Sequence, residues 1–204
     1  MVVTTDISNV MSELKQRMRE VGLVDVQDLD STIQVHLAYA TPNNFMNQIM
    51  YESHHAFLLE SVAKALVKAQ NEFKSLGYAI KILDAYRPFS VQEKFWERYP
   101  KPSFLARPLR NEEKLVSGSK HNRGAAVDIT LVDKAGAELP MPTPFDEFSA
   151  RAGRSFIGVN DPELRNVKLL EEVMQKYHFL GLPSEWWHFD HNDWTEYPLL
   201  DVPL

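Results

Sequence analysis

Ser119-Lys120-His121-Asn122-Arg123-Gly124-Ala125-Ala126-Val127-Asp128-Ile129-Thr130-Leu131-Val132 is the stretch on which the reading of this chain turns. Residues 125–132 are dense in branched apolar side chains and predict a buried strand. Gly124 permits a turn that folds His121 back over the start of that strand. Asp128 sits between Val127 and Ile129, where an unpaired carboxylate would cost on the order of several kcal/mol. Something must pair it. A cation is one answer, and a salt bridge to a lysine or arginine is the other.

Outward from this strand the chain alternates helices and strands without a regular βαβ repeat. Asp133-Lys134-Ala135-Gly136 reads as a hairpin turn. Upstream, the spacing predicts a helix over 7–21, with Val10, Met11, Leu14 and Met18 on one stripe. The alternation in Thr32-Ile33-Gln34-Val35-His36-Leu37 predicts a strand. A long helix is expected over 54–76, with Gly77 at its C-terminal end, and then a strand over 78–83 and a helix over 91–98. Residues 100–113 read as loop, and 139–158, with three prolines and two glycines, as a long surface loop of the kind that is often functional. Asp161 should cap a last helix to about 177, with Pro162 at its first position. A short strand over 186–190 nearly closes the chain. The pattern predicts an α+β fold, one domain over 1–204, with helices on a central antiparallel sheet.

The 204 residues include no cysteine, which excludes disulfides, thiolate zinc sites and iron–sulfur clusters. Any metal must therefore be held by imidazole and carboxylate. The net charge of −6 argues against a nucleic-acid-coating protein. No apolar run reaches the length of a membrane span. The opening Met1-Val2-Val3-Thr4-Thr5-Asp6 lacks the order of a secretory leader, leaving a cytoplasmic location, or a periplasmic one reached after an export segment is removed. Oligomeric state is not legible.

Of seven histidines, five have ordinary explanations. His54 and His55 fall at an expected helix start, His36 on the polar face of a strand, and His178 at a helix C-terminus, where an imidazolium suits the dipole. His191 follows His188 by three residues and need not share its direction. His121 stands beside Asp128, and His188 closes the run Glu185-Trp186-Trp187-His188. On a straight strand, residues three apart point to opposite sides. A bend after Pro183 and Ser184 would let Glu185 hang beside a metal without binding it, where a general base belongs. Two histidines and one carboxylate leave a tetrahedral zinc one open position for water. In Leu83-Asp84-Ala85-Tyr86-Arg87-Pro88, Arg87 is either a surface charge or a guanidinium that stabilises an oxyanion or clamps a carboxylate. Asp84 either orients it or caps the next helix.

The patterns S-x-H-x-x-G-x-A-x-D (119–128), E-x-W-H (185–188) and D-x-Y-R-P (84–88) together resemble the zinc D-alanyl-D-alanine dipeptidases, relatives of the D,D-carboxypeptidases with the hedgehog-like zinc fold. The dipeptidase branch is further resembled in Tyr39-Ala40-Thr41 before Asn44-Phe45, in Tyr51, in Trp186-Trp187 and in Phe145-Asp146. The resemblance implies one zinc per chain on His121, Asp128 and His188, with Glu185 as catalytic base and Arg87 as transition-state stabiliser. It also implies Asp146 and the Tyr39 hydroxyl at the substrate ammonium and Ser119 near its carboxylate. The expected activity is hydrolysis of D-Ala-D-Ala and related short dipeptides with a free amino terminus. A D,D-carboxypeptidase or endopeptidase on peptidoglycan stems, or a non-catalytic zinc module, are the alternatives.

Overall fold

The computed structural model describes residues 3–156 and 161–204. At its centre the branched apolar run of the opening stretch forms β7 (Ala126–Val132), in which every residue is buried. Burial on both faces explains why this strand reads as a continuous apolar run rather than an alternation. Its neighbours are β4 (Ala79–Asp84) on one side and β9 (His188–His191) on the other, both antiparallel to it. β8 (Phe179–Gly181) extends the sheet antiparallel beyond β9, and β2 (Gln34–Val35) lies parallel to β4 at the opposite edge. The order is β2-β4-β7-β9-β8. The α+β class and the antiparallel centre are as expected, with one parallel pair added at the edge.

Register does the positioning. Asp84 pairs with Asp128, and Asp128 with His188, so the three motifs of the sequence lie in one row across adjacent strands. A register shift between Ile82 and Asp84 bends β4 at this end, as bulges next to functional sites do.

Around the sheet lie α1 (Val3–Glu20), β1 (Leu23–Asp25), α2 (Val26–Leu29), β3 (Phe57–Leu59) and α3 (Glu60–Ser75). After β4 come α4 (Phe89–Arg98) and a hairpin of β5 (Leu109–Asn111) and β6 (Lys114–Ser117), and α5 (Asp161–Lys176) precedes β8. The buried face of α3, with Val62, Leu66, Ala69 and Phe73, joins β4 and β7 in one connected apolar cluster. No described helix is long and apolar enough to cross a membrane.

Several boundaries differ from expectation. The helix expected from 54 begins at Glu60, because Phe57–Leu59 pairs with Leu23–Asp25 as a two-stranded sheet. Phe57, Leu58 and Leu59 are all buried, and a short run apolar on both faces fits either period. His54 and His55 therefore do not start a helix; the His55 Nδ1 lies 2.7 Å from Asp25 Oδ2. Only Gln34–Val35 of 32–37 is paired strand, although Ile33 and Leu37 are buried as the alternation requires. The expected loop 100–113 ends in the β5–β6 hairpin, and the last strand begins at His188 rather than 186. Val10 is exposed, off the buried stripe of Leu14 and Met18. The cap expected from the Asp161 side chain and the last two residues of the 139–158 loop fall outside the described residues.

Candidate metal centre and its cavity

Ser119 caps a single 3-10 turn, Lys120–Arg123, its Oγ accepting from the His121 N–H, and Asn122 reciprocates at the Ser119 N–H. The turn ends on Gly124 at φ 63, where a Cβ would lie 2.4 Å from Leu23 Cδ2 and 3.2 Å from the Leu59 nitrogen. Only glycine fits both the left-handed backbone and the space. This turn lays His121 over the end of β7.

His121 Nδ1 lies 2.7 Å from the Ala85 carbonyl oxygen, which can only accept, so this nitrogen carries a proton and Nε2 is the one turned to the cluster. Nε2 faces Asp128 Oδ1 at 3.3 Å and His188 Nδ1 at 3.2 Å. His188 Nδ1 lies 2.9 Å from the same carboxylate oxygen, while its Nε2 meets Asp190 Oδ1 at 2.8 Å. Each ring is thus held from outside, and three donor atoms converge within 4.8 Å of one another, all from buried residues. This donor set suits a tetrahedral dication, with partners behind each histidine of the kind that metal ligands use. Among the described residues it is the one such cluster.

The electrostatics agree. Burial works against a charged Asp128, yet His121 and His188 pull its carboxyl well below the ordinary range. Burial likewise disfavours a charged His188, but Asp128 and Asp190 raise it to about 10. Asp128 and His188 thus favour one another's charged forms.

Glu185 lies on the expected bend: its N–H donates to the Leu182 carbonyl at 3.2 Å, and the strand starts only at His188. Its carboxyl is buried and Oε1 has no hydrogen-bond partner among the described residues. Burial, with Asp128 adding repulsion, pushes it up to about 7 despite the nearby histidines and Arg87. A carboxyl poised there can take or give a proton near neutrality.

Arg87 is buried, which removes the surface-charge reading. Its Nε and Nη2 donate to Asp84 Oδ2 at 3.0 and 2.6 Å, and Nη1 donates to Gln92 Oε1 at 2.8 Å. Asp84 therefore orients the guanidinium; α4 has no side-chain cap at its start. Tyr51 donates to the other Asp84 oxygen. Rings of Tyr39 and Phe95 lie 5.1 and 4.8 Å from the guanidinium carbon. Burial lowers the Arg87 proton affinity, but Asp84 and its neighbours raise it further, keeping the group charged.

Asp146, at φ 62, takes the Tyr39 hydroxyl at 2.9 and 3.0 Å. Burial, reinforced by Asp128 and Asp84, raises its carboxyl well above the usual value against the pull of Tyr39 and Arg87. All eight candidate residues from the sequence line one cavity of about 90 Å³. Ser119 reaches it while its Oγ serves the 3-10 turn. His36, His54, His55, His178 and His191 stay outside the cluster; His191 packs edge-on to Phe179. Motif reading missed Gln92 and Asp190. Asp190 had a signal, since residues two apart on a strand share a face, whereas nothing in the sequence marks Gln92.

A buried His–Asp–His cluster opening on a small cavity, with a buried carboxyl beside it whose Oε1 has no partner among the described residues, is the arrangement of a mononuclear metal-dependent hydrolase. Comparison with known proteins narrows the class. The D-ala-D-ala dipeptidase model of the Peptidase_M15 family matches residues 19–201, and the chain belongs to that family. It is 33% identical over 178 residues to the D-alanyl-D-alanine dipeptidase of Escherichia coli (strain K12), covering 87% of this chain and 89% of that one. Identity to the enzyme of the same name from Enterococcus faecalis (strain ATCC 700802 / V583) is 28% over 198 residues, covering 90% and 94%. For that of Enterococcus faecium it is 27% over 201 residues, covering 91% and 99%.

Proposed function

We propose that this chain is a zinc-dependent dipeptidase that hydrolyses D-Ala-D-Ala and related short dipeptides with a free amino terminus. The observation that carries the reading is one small cavity shared by the His–Asp–His cluster, the Glu185 carboxyl, whose Oε1 has no partner among the described residues, and the Tyr39–Asp146 pair. Three curated relatives matched over most of their length carry the dipeptidase name.

His121, Asp128 and His188 would hold one zinc, which when bound supplies Lewis acidity that polarises a carbonyl and makes water easier to deprotonate. Glu185 removes the proton from the attacking water and returns it to the departing amine. A carboxyl pushed up to about 7 is suited to both directions of that transfer. Arg87, locked by Asp84 and Gln92, presents fixed positive charge to the oxygen that gains charge in the transition state. Asp146, with Tyr39, takes the substrate ammonium; a buried carboxyl gains most from a cation it can pair with. Ser119 lies toward the carboxylate end. A dipeptide offers little surface, so charge pairing at its ends supplies much of the selectivity.

The test is Glu185→Ala with D-Ala-D-Ala as substrate. Turnover should fall by roughly 10²–10⁴-fold, with one zinc per chain retained on elemental analysis. Near-normal turnover in that variant overturns the mechanism. Parallel assays with N-acetyl-D-Ala-D-Ala separate the dipeptidase, which needs a free amine, from a carboxypeptidase or endopeptidase on wall peptides.

A further inference from the structure

The bend that presents Glu185 is braced from outside by a residue that belongs to none of the motifs. Between Leu182 and His188 the chain doubles back, the Leu182 N–H donating to the His188 carbonyl at 3.1 Å. Arg154, from the long loop after β7, reaches the same place. Its Nε donates to the Leu182 carbonyl at 3.0 Å and its Nη2 to the His188 carbonyl at 2.7 Å. One planar guanidinium therefore ties both ends of the segment that carries Glu185. The surrounding backbone repeats the connection: the Arg154 N–H donates to the Pro183 carbonyl at 3.1 Å, and the Trp186 N–H to the Ala152 carbonyl at 2.9 Å.

The fold also makes room for this group. The guanidinium carbon lies 4.2 Å from the centroid of the Phe189 ring, on β9. Gly181, paired with Phe189 across β8 and β9, leaves the space open: an added Cβ would lie 2.4 Å from both Cζ and Nε of Arg154. Any side chain at 181 must displace the guanidinium. A rigid fork that serves two carbonyls at once is a property of arginine that lysine cannot reproduce.

We propose that Arg154 is a positioning residue for Glu185, fixing the 182–188 bend so that the carboxyl faces the metal cluster without entering it. This rests on the reading of Glu185 as the base. Arg154 neither lines the cavity nor belongs to the His–Asp–His cluster, so its loss should appear in the chemical step more than in binding. Displacements of about 1 Å at a reacting group cost up to ~10²-fold in rate.

The experiment compares wild type with Arg154→Met, Arg154→Lys, Arg154→Ala, Gly181→Ala and Glu185→Ala on D-Ala-D-Ala, measuring kcat, KM, zinc content and thermal midpoint. Arg154→Met should lower kcat by ~10- to 100-fold with KM within about threefold of wild type and zinc still bound. Gly181→Ala, which leaves Arg154 in the sequence but displaces it, should move kcat the same way. Millimolar guanidinium ion should restore part of the lost kcat to Arg154→Ala and none to Glu185→Ala. Should the Met variant fail to fold, Arg154→Lys carries the test, with kcat at least ~5-fold down as its second carbonyl bond is lost. A kcat within twofold of wild type in Met or Lys, or a loss matched by lost zinc, overturns the proposal. Inactivity of the wild type on D-Ala-D-Ala overturns the reading of Glu185 itself, and so is distinct from failure of the brace.

Discussion

At the scale of single residues, what a motif names and what a site needs are different sets. The bend that sets Glu185 beside the His–Asp–His cluster was legible from Pro183-Ser184 and the glutamate-to-histidine spacing, and the role proposed for it as a base asks for a carboxyl of just that placement. Arg87 was ambiguous in sequence, and burial decides it: a buried guanidinium must be paired, and Asp84 and Gln92 pair it. Asp190 was passed over, although its position two residues after His188 puts both side chains on one face. Its Oδ1 takes His188 Nε2 at 2.8 Å, while Lys120 Nζ holds Oδ2 at 3.2 Å, tying the His188 strand to the His121 turn. An outer carboxylate of this kind fixes the tautomer and strengthens the ligand nitrogen. Asp190→Ala should therefore weaken zinc binding by ~10- to 100-fold, read by competition with a chromophoric chelator. Asp190→Asn, which can still accept the hydrogen bond without the charge, should lie between it and wild type. Equal affinities in all three proteins would contradict this role.

At the scale of elements, legibility followed length. β7 and the body of α3 announced themselves because seven or more residues repeat a pattern. The pairs β1–β3 and β5–β6, and strand β8, have no more than four residues each, too few for an alternation to stand out. The long loop after β7 was legible as a loop, but its work depends on aromatic packing that composition does not reveal. Phe148 lies against Phe104, Phe45 and Tyr99, with ring centroids 5.1, 5.2 and 5.3 Å away. Phe104 and Phe148 line the small cavity of the His–Asp–His cluster, and Phe104 with Ser149 also lines an open groove of about 720 Å³. Phe104 is thus the wall common to the small cavity and the groove, and Phe148 backs it from the cavity side. Phe148→Ala should breach it, raising the ratio of kcat/KM for tripeptide over dipeptide by at least ~10-fold, the scale on which apolar pocket volume discriminates. Steady-state kinetics on D-Ala-D-Ala and tri-D-alanine check this, and an unchanged ratio with dipeptide activity retained would show that the wall lies elsewhere.

At the scale of the whole molecule, the site depends on a row of residues that no single segment encodes. Asp84, Asp128 and His188 align only because three strands pair in one register, a relation invisible in any window of sequence. The C-terminal segment then ties down the turns on either side of that row. The Phe89 N–H donates to the Leu200 carbonyl at 3.1 Å, and the Leu200 N–H to the Asn122 carbonyl at 2.8 Å, joining the Arg87 turn to the His121 turn. Tyr86, buried within the D-x-Y-R-P motif, donates its hydroxyl to the Val202 carbonyl at 3.1 Å and accepts from the Val202 N–H at 2.7 Å. Its place in the motif is thereby explained without contact with substrate. Tyr86→Phe removes both bonds but keeps the ring, so the loss is about 1–3 kcal/mol for polar groups left without partners. For a chain of this size each kcal/mol moves the thermal midpoint by about 2–4 °C, so the midpoint should fall by about 2–12 °C. Because the tyrosine acts through the tail, kcat/KM at 25 °C should drop less than ~10-fold, far less than for Glu185→Ala. A calorimetric scan with parallel kinetics tests both statements: an unchanged midpoint would show that the tail does not stabilise the site, and a loss of activity as large as that of Glu185→Ala would place Tyr86 in the chemistry.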